Sequence, residues 1–202
     1  MDVFERIILF DIDKTVFDTR ASGKKYGQKL AERCHVGEEK IKESVESYRS
    51  QLESSTDFDP DELLARIETE YGVEKGNLEQ VLFDQSNFIL FPESGAVLEK
   101  LAKTSILGLF SEGRQQWQKK KMELTGIARF FDPRYVIVER RKMNEESIKK
   151  IPQGSTVIDD KRVVIERLKQ LRPDLNLIWI NRENEEKIEG VTNIKSLKDL
   201  LK

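Results

Sequence analysis

From residue 96 onward the chain alternates short apolar runs with longer stretches of helical period. Helices are expected at residues 96–103, 115–125, 145–151 and 162–171, and strands at 105–110, 135–138, 156–158 and 177–180. Strands joined through helices run parallel, and a parallel sheet must be covered on both faces. The alternation therefore specifies an α/β fold of three layers. One further strand, at residues 7–10, opens the sheet, and a short strand near 191–194 with a helix from Ser196 closes it. Between them, residues 22–83 leave the rhythm. Leu30, Cys34, Ile41 and Val45 recur at helical spacing, as do Leu63, Leu64, Ile67 and Tyr71 after DFDPDELL, where Pro60 suits a first helical turn. This helical insertion leaves the chain directly after the first strand.

Two strand ends carry acids. Ile7, Ile8, Leu9 and Phe10 are followed by Asp11, Asp13 and Thr15, and Thr156, Val157 and Ile158 are followed by Asp159 and Asp160. In an extended segment Asp11 and Asp13 share a face. Taken alone, an acidic turn after a core strand accounts for Asp-x-Asp; the second pair overturns that account. Open parallel sheets bind ligands beyond the carboxyl ends of their strands, where these acids gather. Carboxylates so close repel one another, and a divalent cation relieves the repulsion.

The segment FDIDKT resembles the first motif of the haloacid dehalogenase (HAD) superfamily of phosphatases and phosphotransferases, an apolar strand followed by Asp-x-Asp-x-Thr. Three further segments are similar to the remaining motifs in order: ILGLFSEGR with Ser111, VERRKMNEES with Lys142, and STVIDDKR with Asp159 and Asp160. The resemblance implies a Rossmann-like parallel-sheet core of the HAD fold, residues 1–18 and 91–202, with an inserted α-helical cap of the C1 type, residues 19–90. By the same resemblance Asp11 is the nucleophile and Asp13 the general acid and base. Ser111 and Lys142 hold the transferring phosphoryl group, Thr15, Glu112 and Gly113 belong to the phosphate-binding loops, and Asp11, Asp13 and Asp160 hold Mg²⁺, with Asp159 a second ligand or an orienting partner. Arg141 is the nearest competitor of Lys142 in its charge run, and Ser111 also suits a cap for the following helix.

The residue types suit that chemistry. A phosphate dianion repels a carboxylate nucleophile, so attack requires a metal and a fixed cation to offset charge, and Mg²⁺ prefers oxygen ligands. Composition narrows the field further. With 35 basic and 37 acidic residues there is no overall basic field to favour nucleic acid. Single copies of cysteine, Cys34, and histidine, His35, exclude an internal disulfide, a multi-cysteine zinc site and a histidine-rich metal centre. The opening MDVFERIILFDID has too short an apolar run for a signal peptide or membrane span, so a cytoplasmic location is expected.

The expected activity is hydrolysis of a small phosphorylated metabolite through an aspartyl-phosphate. The alternatives are a phosphotransferase or sugar-phosphate mutase, which needs the same acid and base, and a catalytically silent phospholigand-binding module. Dehalogenation is disfavoured, because the dehalogenases of the superfamily generally lack an acid at the position of Asp13. Two departures from the family pattern stand out: Lys14 replaces a common Gly, and Glu112 adds a negative charge beside Ser111. A monomer and a homodimer fit the sequence equally.

Overall fold

The computed structural model describes residues 6–202; residues 1–5, on which the reading of the N-terminus partly rests, lie outside them. The chain separates into two compact units, Met1–Asp18 with Leu90–Lys202, and Thr19–Ile89.

In the first unit β1 (Ile7–Phe10) starts the sheet. In the second, α1 (Thr19–Cys34), α2 (Glu38–Ser50), α3 (Pro60–Tyr71) and the single turn α4 (Glu79–Leu82) follow. Back in the first unit come α5 (Ser94–Leu101), β2 (Ile106–Glu112), α6 (Gln115–Leu124), β3 (Val136–Glu139), α7 (Glu145–Lys149), β4 (Thr156–Asp159), α8 (Arg162–Leu171), β5 (Asn176–Ile180) and β6 (Thr192–Ile194). The six strands form one sheet in the order β3-β2-β1-β4-β5-β6, every pair parallel. Leu9 lies opposite Gly108 on one side and Val157 on the other, which sets β1 and β4 side by side where the strand order reverses.

Side chains alternate across the sheet. Leu9, Phe110, Val157, Leu177 and Trp179 cluster with Ile148 of α7 and Val164, Ile165 and Leu168 of α8. The last three fill the apolar stripe of α8, and burying each stabilises the fold by about 1.5–3 kcal/mol. Phe10 points the other way and meets Phe131 edge-on, with ring centroids 6.3 Å apart. Right-handed crossovers assign α5 and α6 to this second face. Gly108 is required by close approach, since a Cβ there would lie 2.4 Å from the Tyr135 carbonyl oxygen. The chain end departs from expectation: the residues after Ser196 form a 3₁₀ segment, Leu197–Leu201, capped reciprocally by Ser196 and Asp199.

The first unit closes its own seam. After Asp13 the chain folds into a tight loop in which the Ile12 carbonyl accepts from the N–H groups of Val16 and Phe17 at 3.1 and 2.9 Å. Phe17 then bridges Leu90 in antiparallel fashion, and the Phe91 N–H donates to the Val16 carbonyl at 3.2 Å. Lys14, inside the loop, has φ +60°, a left-handed conformation that explains why glycine is common at such a position.

In the second unit the spacing that ran through residues 30–45 is divided between two helices. His35, at φ +56°, ends α1, and Gly37 precedes α2. Leu30, Cys34, Ile41 and Tyr48 are buried between elements of this unit. Asp59 caps α3 by accepting from the Asp61 N–H at 3.0 Å, with Pro60 in the first turn. The buried Glu68 carboxylate is satisfied by the backbone N–H groups of Gly76 and Leu78 at 2.8 and 3.2 Å. Lys29 pairs with Asp84.

Candidate active site

The ends of β1, β2 and β4 and the loop after β3 bring the acidic residues and their cations together. Asp11 follows β1 directly, and its N–H continues the ladder by donating to the Ile158 carbonyl at 2.9 Å. Only 4% of Asp11 is exposed. Its Oδ1 accepts from Ser111 Oγ at 3.1 Å and from Lys142 Nζ at 2.7 Å. Lys142 is wholly buried and also donates to Asp159 Oδ2 at 2.5 Å and to the Phe110 carbonyl at 3.3 Å. Arg141, its competitor in the sequence, is exposed. Ser111 lies inside β2, not beyond its end, and leaves the start of α6 uncapped, for its hydroxyl is turned to Asp11.

Asp11, Asp159 and Asp160 can each place a carboxylate oxygen within 4.8 Å of the others'. Asp159 is fixed on its second side by the Lys161 N–H at 2.8 Å, and the Asp160 backbone is fixed by Trp179 Nε1, which donates to its carbonyl at 2.8 Å. Three carboxylates gather around one buried ammonium, which pairs with Asp11 and Asp159, so their charge exceeds what it offsets. Burial, with Asp159 and Asp13 nearby, raises Asp11 to a pKa of about 6 despite the opposing pull of Lys142. Burial, with Asp11 and Asp159 nearby, raises Asp160 to about 7, against the pull of Lys14 and Lys142. Lys142 moves upward from its ordinary value, because its two carboxylates outweigh its own burial. A hard-oxygen donor set with this surplus charge fits a divalent cation such as Mg²⁺.

Asp13, the second acid of the first motif, stands apart from that cluster, with its carboxylate directed to α6. Lys121 Nζ donates to its two oxygens at 2.6 and 2.8 Å, and Gln118 Nε2 donates to Oδ2 at 2.9 Å. Sequence reasoning missed both partners. The only signal was their spacing with Met122, which sets them at core-facing positions of an otherwise charged helix.

Three expected phosphate-loop residues are not aimed at the acids. Thr15 is fully enclosed, its hydroxyl has no hydrogen-bond partner among the described residues, and its carbonyl accepts from Arg182 at 3.0 Å. It supports the loop from within. The Glu112 carboxylate pairs with Lys161 at 2.7 Å, so its charge beside Ser111 is compensated, and its carbonyl accepts from Gln118 at 2.8 Å. The Gly113 N–H is committed to the Glu139 carbonyl at 2.9 Å, and φ of +125° explains the glycine.

A doubly wound parallel sheet here gathers a buried carboxylate, a lysine and an acidic cluster at its switch point, where open α/β sheets bind their ligands. The chain belongs to the haloacid dehalogenase-like hydrolases, whose family model matches residues 8–166. Comparison with curated proteins gives no match. Among solved structures, the fold is similar to that of a HAD phosphatase from Thermococcus onnurineus, with a TM-score of 0.65, 18% identity and coverage of 96% of this chain and 95% of that one. It is also similar to YfnB from Bacillus subtilis, bound to magnesium, with a TM-score of 0.66, 20% identity and coverage of 97% and 96%. The L-2-haloacid dehalogenase of Xanthobacter autotrophicus matches with a TM-score of 0.63, 14% identity and coverage of 97% and 96%. At such identities the likeness is one of fold. Among the described residues no helix is long and apolar enough to cross a membrane.

Proposed function

We propose that the protein is a Mg²⁺-dependent phosphomonoester hydrolase that acts through an aspartyl-phosphate on Asp11 and takes a small phosphorylated metabolite in the cytoplasm. The observation that carries this reading is the surplus negative charge of the Asp11, Asp159 and Asp160 cluster beside a second, separately held acid, Asp13. Asp11, Asp159 and Asp160 would hold the metal with their carboxylates, and Asp13 with its backbone carbonyl. When bound, the metal neutralises charge on the phosphoryl oxygens and on the nucleophile.

The chain's own groups then have distinct parts. An oxygen of Asp11 attacks phosphorus as the bond from phosphorus to the leaving oxygen breaks, and Asp13 gives that oxygen a proton. Asp13, now a carboxylate, takes a proton from water as the water oxygen attacks the phosphoryl group. The bond to Asp11 breaks, and inorganic phosphate leaves. Ser111 and Lys142, which already converge on Asp11, hold the transferring group and offset its charge. The acid at Asp13 favours phosphoryl transfer over dehalogenation. The inserted helical segment, which begins at Thr19, six residues after Asp13, serves as a cap that selects the substrate.

The test is release of phosphate from 4-nitrophenyl phosphate by purified protein, with Mg²⁺ and with EDTA, beside Asp11→Asn. Metal-dependent release that the variant loses supports the mechanism. A variant that keeps the wild-type rate refutes it.

A further inference from the structure

Helix α6 turns two polar side chains inward where an apolar face is expected. Gln118 and Lys121 are three residues apart, share a face, and are only 2% and 6% exposed. Neither belongs to the four segments that supply the acidic cluster and its cations. Together they place three hydrogen bonds on the Asp13 carboxylate. Gln118 spans a further gap: the nitrogen that donates to Asp13 also donates to the Glu112 carbonyl, next to Ser111. Lys121 is held in place from another side by the Phe17 ring, with its ammonium 5.1 Å from the centroid.

Stability alone does not account for this arrangement. Lys121 is buried, but the Asp13 side chain is 32% exposed, and an ion pair open to solvent contributes little net stability. Gln118 adds a cost, since its Oε1 is buried without a hydrogen-bond partner among the described residues. Apolar residues at both positions would avoid the Gln118 penalty and would leave the Asp13 carboxylate without these three bonds. What the polar pair does provide is direction. Its three bonds come from one rigid helix, so they fix both the position and the plane of the Asp13 carboxyl group relative to the end of β2.

We propose that Lys121, assisted by Gln118, is the positioning residue of the acid and base Asp13, aiming it at the leaving-group oxygen. The inference rests on the acid–base role assigned to Asp13 above. Losing that aim impairs proton delivery and leaves nucleophilic attack by Asp11 intact. The loss therefore depends on the leaving group: an alkoxide needs the proton as the phosphorus–oxygen bond breaks, and a nitrophenolate departs without it.

The test compares kcat/KM, which covers the steps up to leaving-group release, for 4-nitrophenyl phosphate and benzyl phosphate at saturating Mg²⁺. Lys121→Met should lower the benzyl value roughly 100-fold, the low end for general acid catalysis, and the nitrophenyl value less than about 5-fold. Lys121→Arg should restore much of the difference. Equal losses on both substrates, or no loss on either, overturn the proposal. A second measurement does not depend on turnover: a crystal structure of Lys121→Met should show Asp13 rotated from its present orientation, and an unmoved, well-ordered Asp13 overturns the proposal as well. Wild-type protein inactive on both esters would count against the phosphatase reading, and the crystallographic result would still decide the positioning role.

Discussion

Replacing Lys142 with methionine isolates the electrostatics of the site. The substitution keeps most of the apolar stem and removes the one ammonium that stands between Asp11 and Asp159. Removing one partner of a buried ionic group costs about 3–5 kcal/mol, because the remaining charge is left without compensation. For a chain of this size each kcal/mol moves Tm by about 2–4 °C, so the expected fall is about 6–20 °C. Protonation limits the damage. Asp11 already sits at about 6 in the presence of Lys142 and rises further without it, so at pH 5 it is neutral and the loss shrinks. The assay is denaturant unfolding in EDTA at pH 8 and pH 5, followed by tryptophan fluorescence. Trp117 and Trp179 both belong to the unit that contains the site, so the signal reports that unit alone. A loss below about 1 kcal/mol at pH 8, or an equal loss at both pH values, would refute the account of Lys142 as the compensating charge.

Three further outcomes follow from the geometry. Asp11 and Asp160 have pKa values raised by folding, so metal-free protein binds more protons folded than unfolded; its stability should fall as pH rises from 5 to 8, and saturating Mg²⁺ should cancel that slope, whereas a flat EDTA profile would contradict the charge surplus. Lys14→Gly relieves a left-handed non-glycine residue and should stabilise the protein by about 0.5–1 kcal/mol in urea melts; a destabilised variant would mean that the lysine charge near Asp160 outweighs the backbone strain. Gly108→Ala drives a Cβ into the Tyr135 backbone and should cost about 1–3 kcal/mol or more, with an unchanged melt showing that β2 and the Tyr135 segment can separate freely.

The sheet and its acidic rim were legible because each strand is a short apolar run and the acids stand where those runs stop. Asp11, Asp159 and Asp160 illustrate this: parallel topology alone sets the ends of β1 and β4 side by side. Lys142 could be separated from Arg141 only by burial, a tertiary quantity that a charge run conceals. The same difficulty hid Lys121 among Lys119, Lys120 and Lys121, since composition does not say which of three lysines a helix turns inward. Ser111 was placed after its strand and proved to lie within it, because Ser111 and Glu112 stay in ladder register with Val138 and Glu139 of β3. The partners of Glu112 and Gly113, the Lys161 ammonium and the Glu139 carbonyl, were not legible because they lie far off in sequence.

The backbone bond from Phe91 to Val16 and the bridge between Phe17 and Leu90 have an evolutionary consequence. They make the point of insertion a clasp belonging to the core, whose two ends are held at hydrogen-bonding distance whatever runs between them. Closing so short a gap takes only a few residues, and lengthening the intervening chain adds little entropic penalty. The scaffold can therefore exchange its accessory segment for a longer, shorter or differently folded one while the carboxylates a few residues upstream keep their positions. Variation in the accessory segment is thereby uncoupled from the placement of those carboxylates.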